Sequence, residues 1–298
     1  MVELVIRSAK REDRAQVLKF TQNTFSWGDY VGRRFNTWFG DKSGRLITAE
    51  RNGVVVGIVF VRQTSEREAW IQGLRVHPGH RRKRIASAMM TECVKTAMKM
   101  GAKTIRLATY ETNLPAQALF ANLGFTLLSK FSLMRRKVAR MKDIELLNNV
   151  KVADKESATE IWRHIKGSPI YSQCGGLFTI LFVWFSLNEQ ELRKFISKKR
   201  VLVYAENDKI RGVMIVDNSM RRIWNRKGLQ SCYMDYDDAE IAVKLAKSFL
   251  NLASSKHLES VDLWTCFDEG VLASLEKIGF KVDKDEPSEL VYFKELAP

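Results

Sequence analysis

The sequence predicts an α+β protein, with strands and helices alternating in α/β fashion, built as two domains over residues 1–140 and 141–298. Three observations predict this. The 298 residues suffice for two domains of ordinary size. With 45% hydrophobic and 28% charged residues the composition is that of a globular protein, which excludes disordered and fibrous classes. One order of elements (strand, helix, β-meander, helix, strand, helix, strands) can be read in each half, a degenerate internal repeat with a period near 140 residues.

In the first half, residues 3–8 (ELVIRS) read as a strand and Arg11 to Phe25 as a helix, with Val17, Phe20 and Phe25 at roughly helical spacing. The segment Phe25 to Val31 breaks that pattern. RLITAE and VVVGIVFV flank Asn52-Gly53, a strong hairpin signal because both residues tolerate positive φ. AWIQGLRV is the next strand, ended by Pro78-Gly79. Ile85, Met89, Cys93 and Ala97 recur every four residues, so Arg84 to Met100 is an amphipathic helix, which Gly101 stops. TIRLATY is a strand, Pro115 to Leu123 a short helix opened by proline, and FTLLSKF and SLMRRKV are two further strands.

In the second half, KVADKESATEIWRHI supplies a strand and a helix, and Phe178 to Ile196 a longer helical region. VLVYAENDKIRGVMIV is a hairpin around Asn207-Asp208 and LQSCYMDY a strand. Ala239 to Lys256 is an amphipathic helix, SVDLWTCF a strand and Glu269 to Ile278 a short helix. Phe280 and Leu290 to Phe293 begin closing strands. Leu177 to Leu187 is apolar around a full helical circumference, which predicts a buried helix. That run falls short of the ~18 residues that span a bilayer, and the N-terminus alternates and turns charged where a secretory signal needs an apolar core, so a cytoplasmic protein is expected. Cys93, Cys174, Cys232 and Cys266 lie far apart without a Cys-x-x-Cys pair, so reduced structural thiols and no metal site are expected.

The net charge of +15 is unevenly spread. Residues 1–140 hold 26 Lys/Arg against 10 Asp/Glu, whereas residues 141–298 hold 23 against 24. Such a gap points the first half at a polyanion: nucleic acid, an anionic membrane surface or a phosphorylated cofactor. The segment Leu74 to Met90, LRVHPGHRRKRIASAMM, gives that anion a place. A strand runs through a tight cationic loop into a helix, whose free N–H groups and dipole make an anion site ringed by Arg81, Arg82, Lys83 and Arg84. A pyrophosphate fits such a site; the alternative is a solvated basic turn.

A second segment, Thr112 to Phe120 followed by Leu123-Gly124-Phe125, completes a pattern. Together the two resemble the GNAT superfamily of acetyl-CoA-dependent N-acetyltransferases. The family's cofactor loop, Gln/Arg-x-x-Gly-x-Gly/Ala, aligns as Arg81 to Ala86. Its later pattern, Asn-x-x-Ala-x-x-Leu-Tyr/Phe-x-x-Leu-Gly-Phe, is matched by Asn113, Ala116, Leu119, Phe120, Leu123, Gly124 and Phe125. The resemblance covers residues 3–138. It implies two GNAT-like domains, each a mixed, mostly antiparallel twisted sheet flanked by helices, with acetyl-CoA as co-substrate, no metal, and transfer of acetyl to a primary amine by direct attack. Backbone atoms of Leu74, Arg75 and Val76 would pair with the pantetheine arm. Loop N–H groups from Arg82 to Ser87, through Lys83, Arg84, Ile85 and Ala86, would hold the pyrophosphate, Asn113 would bind near the pantetheine or thiol end, and Ala116 and Phe120 of the same motif would belong to the cofactor site.

Two positions depart from the family. Arg84 stands where a glycine lets backbone approach phosphate, and Phe120 where many relatives carry a tyrosine thought to protonate the leaving thiolate. A thiol of pKa ~8.5 leaves without help, whereas an amine of pKa ~10.4 must first lose a proton. On the AWIQGLRV strand Glu68, Trp70 and Gln72 share one face, so Glu68 is a candidate base and Gln72 a candidate to orient a water; Tyr110 and Glu111 compete, as does water-relayed proton loss without a single base. Trp27, Asp29 and Tyr30 are the candidate acceptor-binding residues, an aromatic wall with one carboxylate that suits a cationic amine; Asp29 as a helix cap is the alternative. In the second half CYMDYDDAEIAVKL replaces the loop, with Asp235, Asp237 and Asp238 where the first half has cations. This half resembles a GNAT fold that does not bind acetyl-CoA, in a tandem protein that is a monomer or homodimer. A GNAT-like nucleic-acid- or ribosome-binding protein, for which the basic run Met134 to Arg140 speaks, and a non-catalytic acyl-CoA sensor are the competing readings.

Overall fold

The computed structural model describes residues 3–22, 24, 28–138, 149–218, 227–282 and 288–296. It divides into two compact units that do not follow a cut at residue 140. The first takes residues up to Ala108, Asn113–Leu127 and the chain from Tyr292 on; the second takes Thr109–Thr112 and Leu128–Val291. The two units exchange short segments of chain, which no local sequence signal marks.

The first unit opens with β1 (Leu4–Ser8), α1 (Asp13–Thr21) and α2 (Val31–Phe39). Its meander is β2 (Gly44–Arg51), β3 (Val54–Ser65) and β4 (Glu68–Val76). Then come α3 (Ile85–Lys99), β5 (Thr104–Tyr110) and α4 (Leu114–Asn122). Strands β1 to β4 pair antiparallel in chain order, while β4 and β5 pair parallel over three residues only, Glu68 to Trp70 against Thr104 to Arg106. The hairpin expected at Asn52-Gly53 is present, at φ 50° and 74°. Val17, Val31, Phe35, Trp38, Ile58 and Phe60 form one buried cluster under α1 and α2. The next residue back along β3, Gly57, points the other way, where a Cβ would lie 2.7 Å from Met89 Sδ of α3. Helices therefore cover both faces of this sheet. Helix α2 was signalled only by Asp29 as a possible helix cap, because Phe25 to Val31 interrupts the apolar pattern ahead of it.

The second unit takes most of β6 (Thr126–Lys137), one long strand where two were expected. It continues through β7 (Val150–Val152), α5 (Ala158–Gly167) and α6 (Pro169–Gln173). The Leu177–Leu187 run is not a helix. It folds as the hairpin β8 (Leu177–Ile180) and β9 (Val183–Ser186), turning through Leu181 and Phe182 at φ 51° and 64°, and only α7 (Glu189–Ser197) follows as helix. Next are β10 (Val201–Glu206), β11 (Lys209–Asp217), β12 (Gly228–Tyr236), α8 (Ala239–Ser255), β13 (Ser260–Cys266), α9 (Glu269–Lys277), β14 (Lys281–Val282) and β15 (Glu289–Glu295), the last shared with the first unit from Tyr292 on. Strand order is β7-β10-β11-β12-β13-β6, again antiparallel except for one parallel pair, β12 with β13, which also lasts three residues. The repeat read from the sequence is thus a repeat of topology. Cys174 and Cys266 are paired as a disulfide, Cα atoms 5.7 Å apart, which corrects the expectation of free thiols for these two; Cys93 and Cys232 are free and buried. Among the described residues no helix is long and apolar enough to cross a membrane, and no group of three or more ligating side chains could hold a metal.

Candidate functional site

The site begins where β4 leaves β5. Beyond Trp70 the edge of β4 that faced β5 pairs with no strand among the described residues, though Arg75 Nη1 donates to Leu74 O at 3.0 Å, while the other edge of β4 stays bonded to β3, with Arg75 opposite Ile58 and Val76 opposite Gly57. A bulge helps to open the fork: two residues of β4, Gly73 and Leu74, oppose the single Val59, and Gly73 takes φ 71°. Only glycine fits there, since a Cβ would stand 2.5 Å from Cη2 of the buried Trp38. Leu74, Arg75 and Val76 are half-buried along this open edge.

Eight residues then connect β4 to α3. A short 3-10 turn, Pro78–His80, leads into the basic run. Arg82 and Arg84 both adopt left-handed backbone, at φ 59° and 58°. Arg84, standing at the family's glycine position, therefore keeps the glycine conformation at a cost of ~1 to 2 kcal/mol. Its exposed side chain makes no cap bond to the helix. The N–H groups of Ile85, Ala86 and Ser87 occupy the first turn of α3, where no intrahelical acceptor exists. Arg81 Nε reaches Val76 O at 3.3 Å and Lys83 Nζ reaches Gly79 O at 3.1 Å. Burial first, then the charges of Lys83, His77 and Arg51, lower the His80 pKa. The field that repels a proton from His80 attracts an anion to the same loop.

On α4, Asn113 is the N-cap, its Oδ1 accepting from Ala116 N at 3.4 Å, and Ala116 is half-buried. Phe120 is buried and packs edge-on against Tyr292, ring centroids 5.6 Å apart. The Tyr292 hydroxyl donates to Gln117 Oε1 at 3.5 Å. Sequence reasoning missed Tyr292, which reaches α4 from 172 positions further along the chain.

The other candidates are placed as follows. Glu68 lies at the closed end of the fork, where Arg106 Nη2 donates to its Oε1 at 2.9 Å. Six positions separate it from Leu74, ~20 Å of strand. Gln72, half-buried, stands two positions inside the opening. Tyr110 and Glu111 belong to the second unit, and Glu111 pairs with Lys130 at 2.7 Å. Asp29 is not open to an acceptor's ammonium. Arg75 Nε donates to its Oδ2 at 2.7 Å, and its Oδ1 accepts from Val31 N at 2.9 Å, capping α2. Tyr30 stands edge-on to Trp38 and carries the Arg75 guanidinium 5.5 Å above its ring. Trp27 lies outside the described residues, as do Ala139 and Arg140 of the basic run. Arg106 and the Arg75–Asp29 pair had no sequence signal, because each partner comes from a different element.

Residues 13–125, which span the fork, the loop and α4, match the acetyltransferase (GNAT) family. The first unit carries a GNAT acetyltransferase domain. A histidine N-acetyltransferase of Xenopus tropicalis is 28% identical over 130 residues, 41% of this chain and 40% of that protein. An uncharacterised N-acetyltransferase of Mycobacterium bovis is 28% identical over 92 residues, 31% of this chain and 59% of its own. The chain thus spans less than two thirds of either relative. Among solved structures, a GCN5-related N-acetyltransferase from Sphaerobacter thermophilus superposes with a TM-score of 0.64 at 12% identity, covering 99% of this chain and 96% of its own. A tandem GNAT protein from the clavulanic acid biosynthesis pathway gives 0.52 at 15%, covering 100% and 99%. Both likenesses run through the GNAT domain and the second unit, and the fold is that of a tandem GNAT protein.

Proposed function

We propose that the protein transfers the acetyl group of acetyl-CoA to a primary amine, small-molecule or peptide, by direct attack in a ternary complex. The observation that carries this reading is the open edge of β4 meeting a left-handed loop at the N-terminus of α3. Leu74 to Val76 lie on the edge of β4 that no described strand pairs, where Arg75 and Arg81 side chains now hold Leu74 O and Val76 O at 3.0 and 3.3 Å and a pantetheine arm would take their place, Arg82 to Ser87 present N–H groups to a pyrophosphate, and Arg81 to Arg84 neutralise its charge. Acetyl-CoA, when bound, supplies the activated thioester.

The protein's part is to bind, orient and take one proton from the amine. Glu68 is committed to Arg106 and Glu111 to Lys130, so proton loss runs through water that Gln72 orients. Phe120 supplies no acid, and a thiolate leaving group needs none. The name of the histidine N-acetyltransferase relative supports an amino-acid α-amine as one acceptor to try first.

The test is thiol release from acetyl-CoA with a panel of amines, polyamines and amino acids, followed across pH. Turnover with at least one amine that Gln72→Ala lowers about tenfold, and Glu68→Gln by less than about threefold, supports the assignment. Turnover abolished by Glu68→Gln with the fold intact restores Glu68 as the base. No turnover with any amine, together with tight RNA binding, favours the nucleic-acid reading.

A further inference from the structure

Two cations beside the fork are brought together without a counter-charge. Arg62 of β3 stands opposite Trp70, the last residue of β4 that pairs with β5, and Phe60 stands opposite Gln72. Residues opposite one another, or two apart on a strand, share a face of the sheet. Arg62, Phe60, Trp70 and Gln72 therefore lie on one side, the side where Phe60 packs with Phe35 and Trp38 of α2. Arg34, one turn before Trp38 on α2, and Asp41, just beyond that helix, are the charged groups whose fields reach Arg62.

The charges there do not cancel. Asp41 is engaged in its own turn, where its Oδ1 accepts from Ser43 N at 2.9 Å and from Ser43 Oγ at 2.6 Å. Glu68, the other carboxylate on this face of β4, is held by Arg106 at 2.9 Å. Arg62 is half-buried and its Nε is buried, yet neither Arg62 nor Arg34, also half-buried, has a side-chain hydrogen bond or ion pair among the described residues. Burial, the largest cause, lowers the Arg62 pKa; the charge of Asp41 opposes it, the charge of Arg34 adds to it, and the balance stays down. The group is still a cation at neutral pH. Two such guanidiniums repel each other, and an anion bound between them offsets both the repulsion and the burial of Arg62.

The geometry points to Arg62 and Arg34 as the subsite for a carboxylate that the acceptor carries beside its amine, which makes the acceptor a free amino acid rather than a plain amine. This deepens the acetyl-transfer reading and rests on it. Gln72 and Arg62 are diagonal neighbours on adjacent strands, with Cα atoms about 7 to 8 Å apart. An amine at the water that Gln72 orients therefore leaves a carboxylate on the same carbon within reach of the long arginine side chain. The two arginines bind and orient; they move no proton.

The experiment measures thiol release from acetyl-CoA by the full chain with the standard amino acids, their carboxamides and the corresponding decarboxylated amines at ~0.15 M salt. The expected result is that the best acceptor is a free amino acid, with kcat/KM about tenfold above that of its amide. Arg62→Gln should raise KM for that acid about tenfold and Arg34→Gln about threefold, with kcat nearly unchanged and Arg62→Lys in between. A collapse of the acid-to-amide ratio in Arg62→Gln marks a carboxylate contact, since a merely structural role would slow both substrates alike. Thermal melts control for folding, and loss of an unpaired charge should leave the melting temperature equal or higher. An amide, a plain amine or a peptide amide beginning with Asp or Glu that matches every free amino acid, or an acid-to-amide ratio unmoved by both glutamine variants, overturns the proposal and leaves acetyl transfer standing. Saturable amino-acid binding by ligand-observed NMR without turnover, lost in Arg62→Gln, supports the subsite and refutes the transfer; neither binding nor turnover refutes both.

Discussion

Arg84 shows how a single position departs from a motif without losing the motif's shape. The backbone is left-handed whether or not the side chain is glycine, because the loop must turn into α3 there. Arg84→Gly should leave stability within about 1 kcal/mol, since relief of the left-handed strain offsets glycine's greater freedom in the unfolded chain. Acetyl-CoA affinity should fall by no more than about threefold, the share of one exposed charge. Arg84→Val, β-branched at positive φ, should cost ~2 kcal/mol and most of the binding; a thermal melt and a titration separate the two. Asp13 is the second informative residue. Its side chain is 6% exposed; burial raises its pKa, but two bonds from Arg7, one from Lys10 N and one from Thr48 outweigh that and lower it overall. Because the folded value lies below the unfolded one, this stabilisation is complete above about pH 4 and is lost as pH falls through the folded value. Asp13→Asn should destabilise the protein by about 2 to 3 kcal/mol at pH 7 and by much less near pH 3, read from urea midpoints.

At the scale of elements, the fork depends on the Gly73 bulge and on the tryptophan beneath it. Trp38 is 2% exposed, stacks on Phe60 at a 5.2 Å centroid distance and occupies the space where a Cβ at position 73 would go. Gly73→Ala should therefore cost more than ~2 kcal/mol, from positive φ and the clash together, and should weaken cofactor binding by re-aiming Leu74 to Val76. An equal melt and equal binding would show that the bulge does not set the fork. Elements whose signal is local were legible in the sequence: the Asn52-Gly53 and Asn207-Asp208 hairpins carry their φ requirement in two adjacent residues. The Leu177–Leu187 run was misread because an unbroken apolar stretch has no period to tell helix from hairpin, and its turn is made by Leu181 and Phe182, neither a turn former. Asp29 illustrates the same limit at the site: its carboxylate suits an amine on paper, but its partner Arg75 sits 46 residues away.

Over the whole molecule, one topology is used twice with opposite electrostatics. Both units part a parallel strand pair after three residues and aim helix N-termini at the gap, but the first lines it with Arg81 to Arg84 and the second with Asp237, Asp238 and Asp268. The repeat and its loss of cations were readable from the chain, whereas the exchanged segments, Tyr292 beside Phe120 among them, were not, because each is placed by contacts remote in sequence. The central claim is that the first unit holds acetyl-CoA through backbone and cations of this fork and that the second does not. Calorimetric titration of the full chain with acetyl-CoA at ~0.15 M salt tests it most directly, repeated on Arg81→Ala and Asn113→Ala with a short RNA as competitor. One site per chain, weakened about threefold to tenfold by each substitution and indifferent to RNA, is the predicted result. No saturable binding, or binding that RNA displaces, would contradict it.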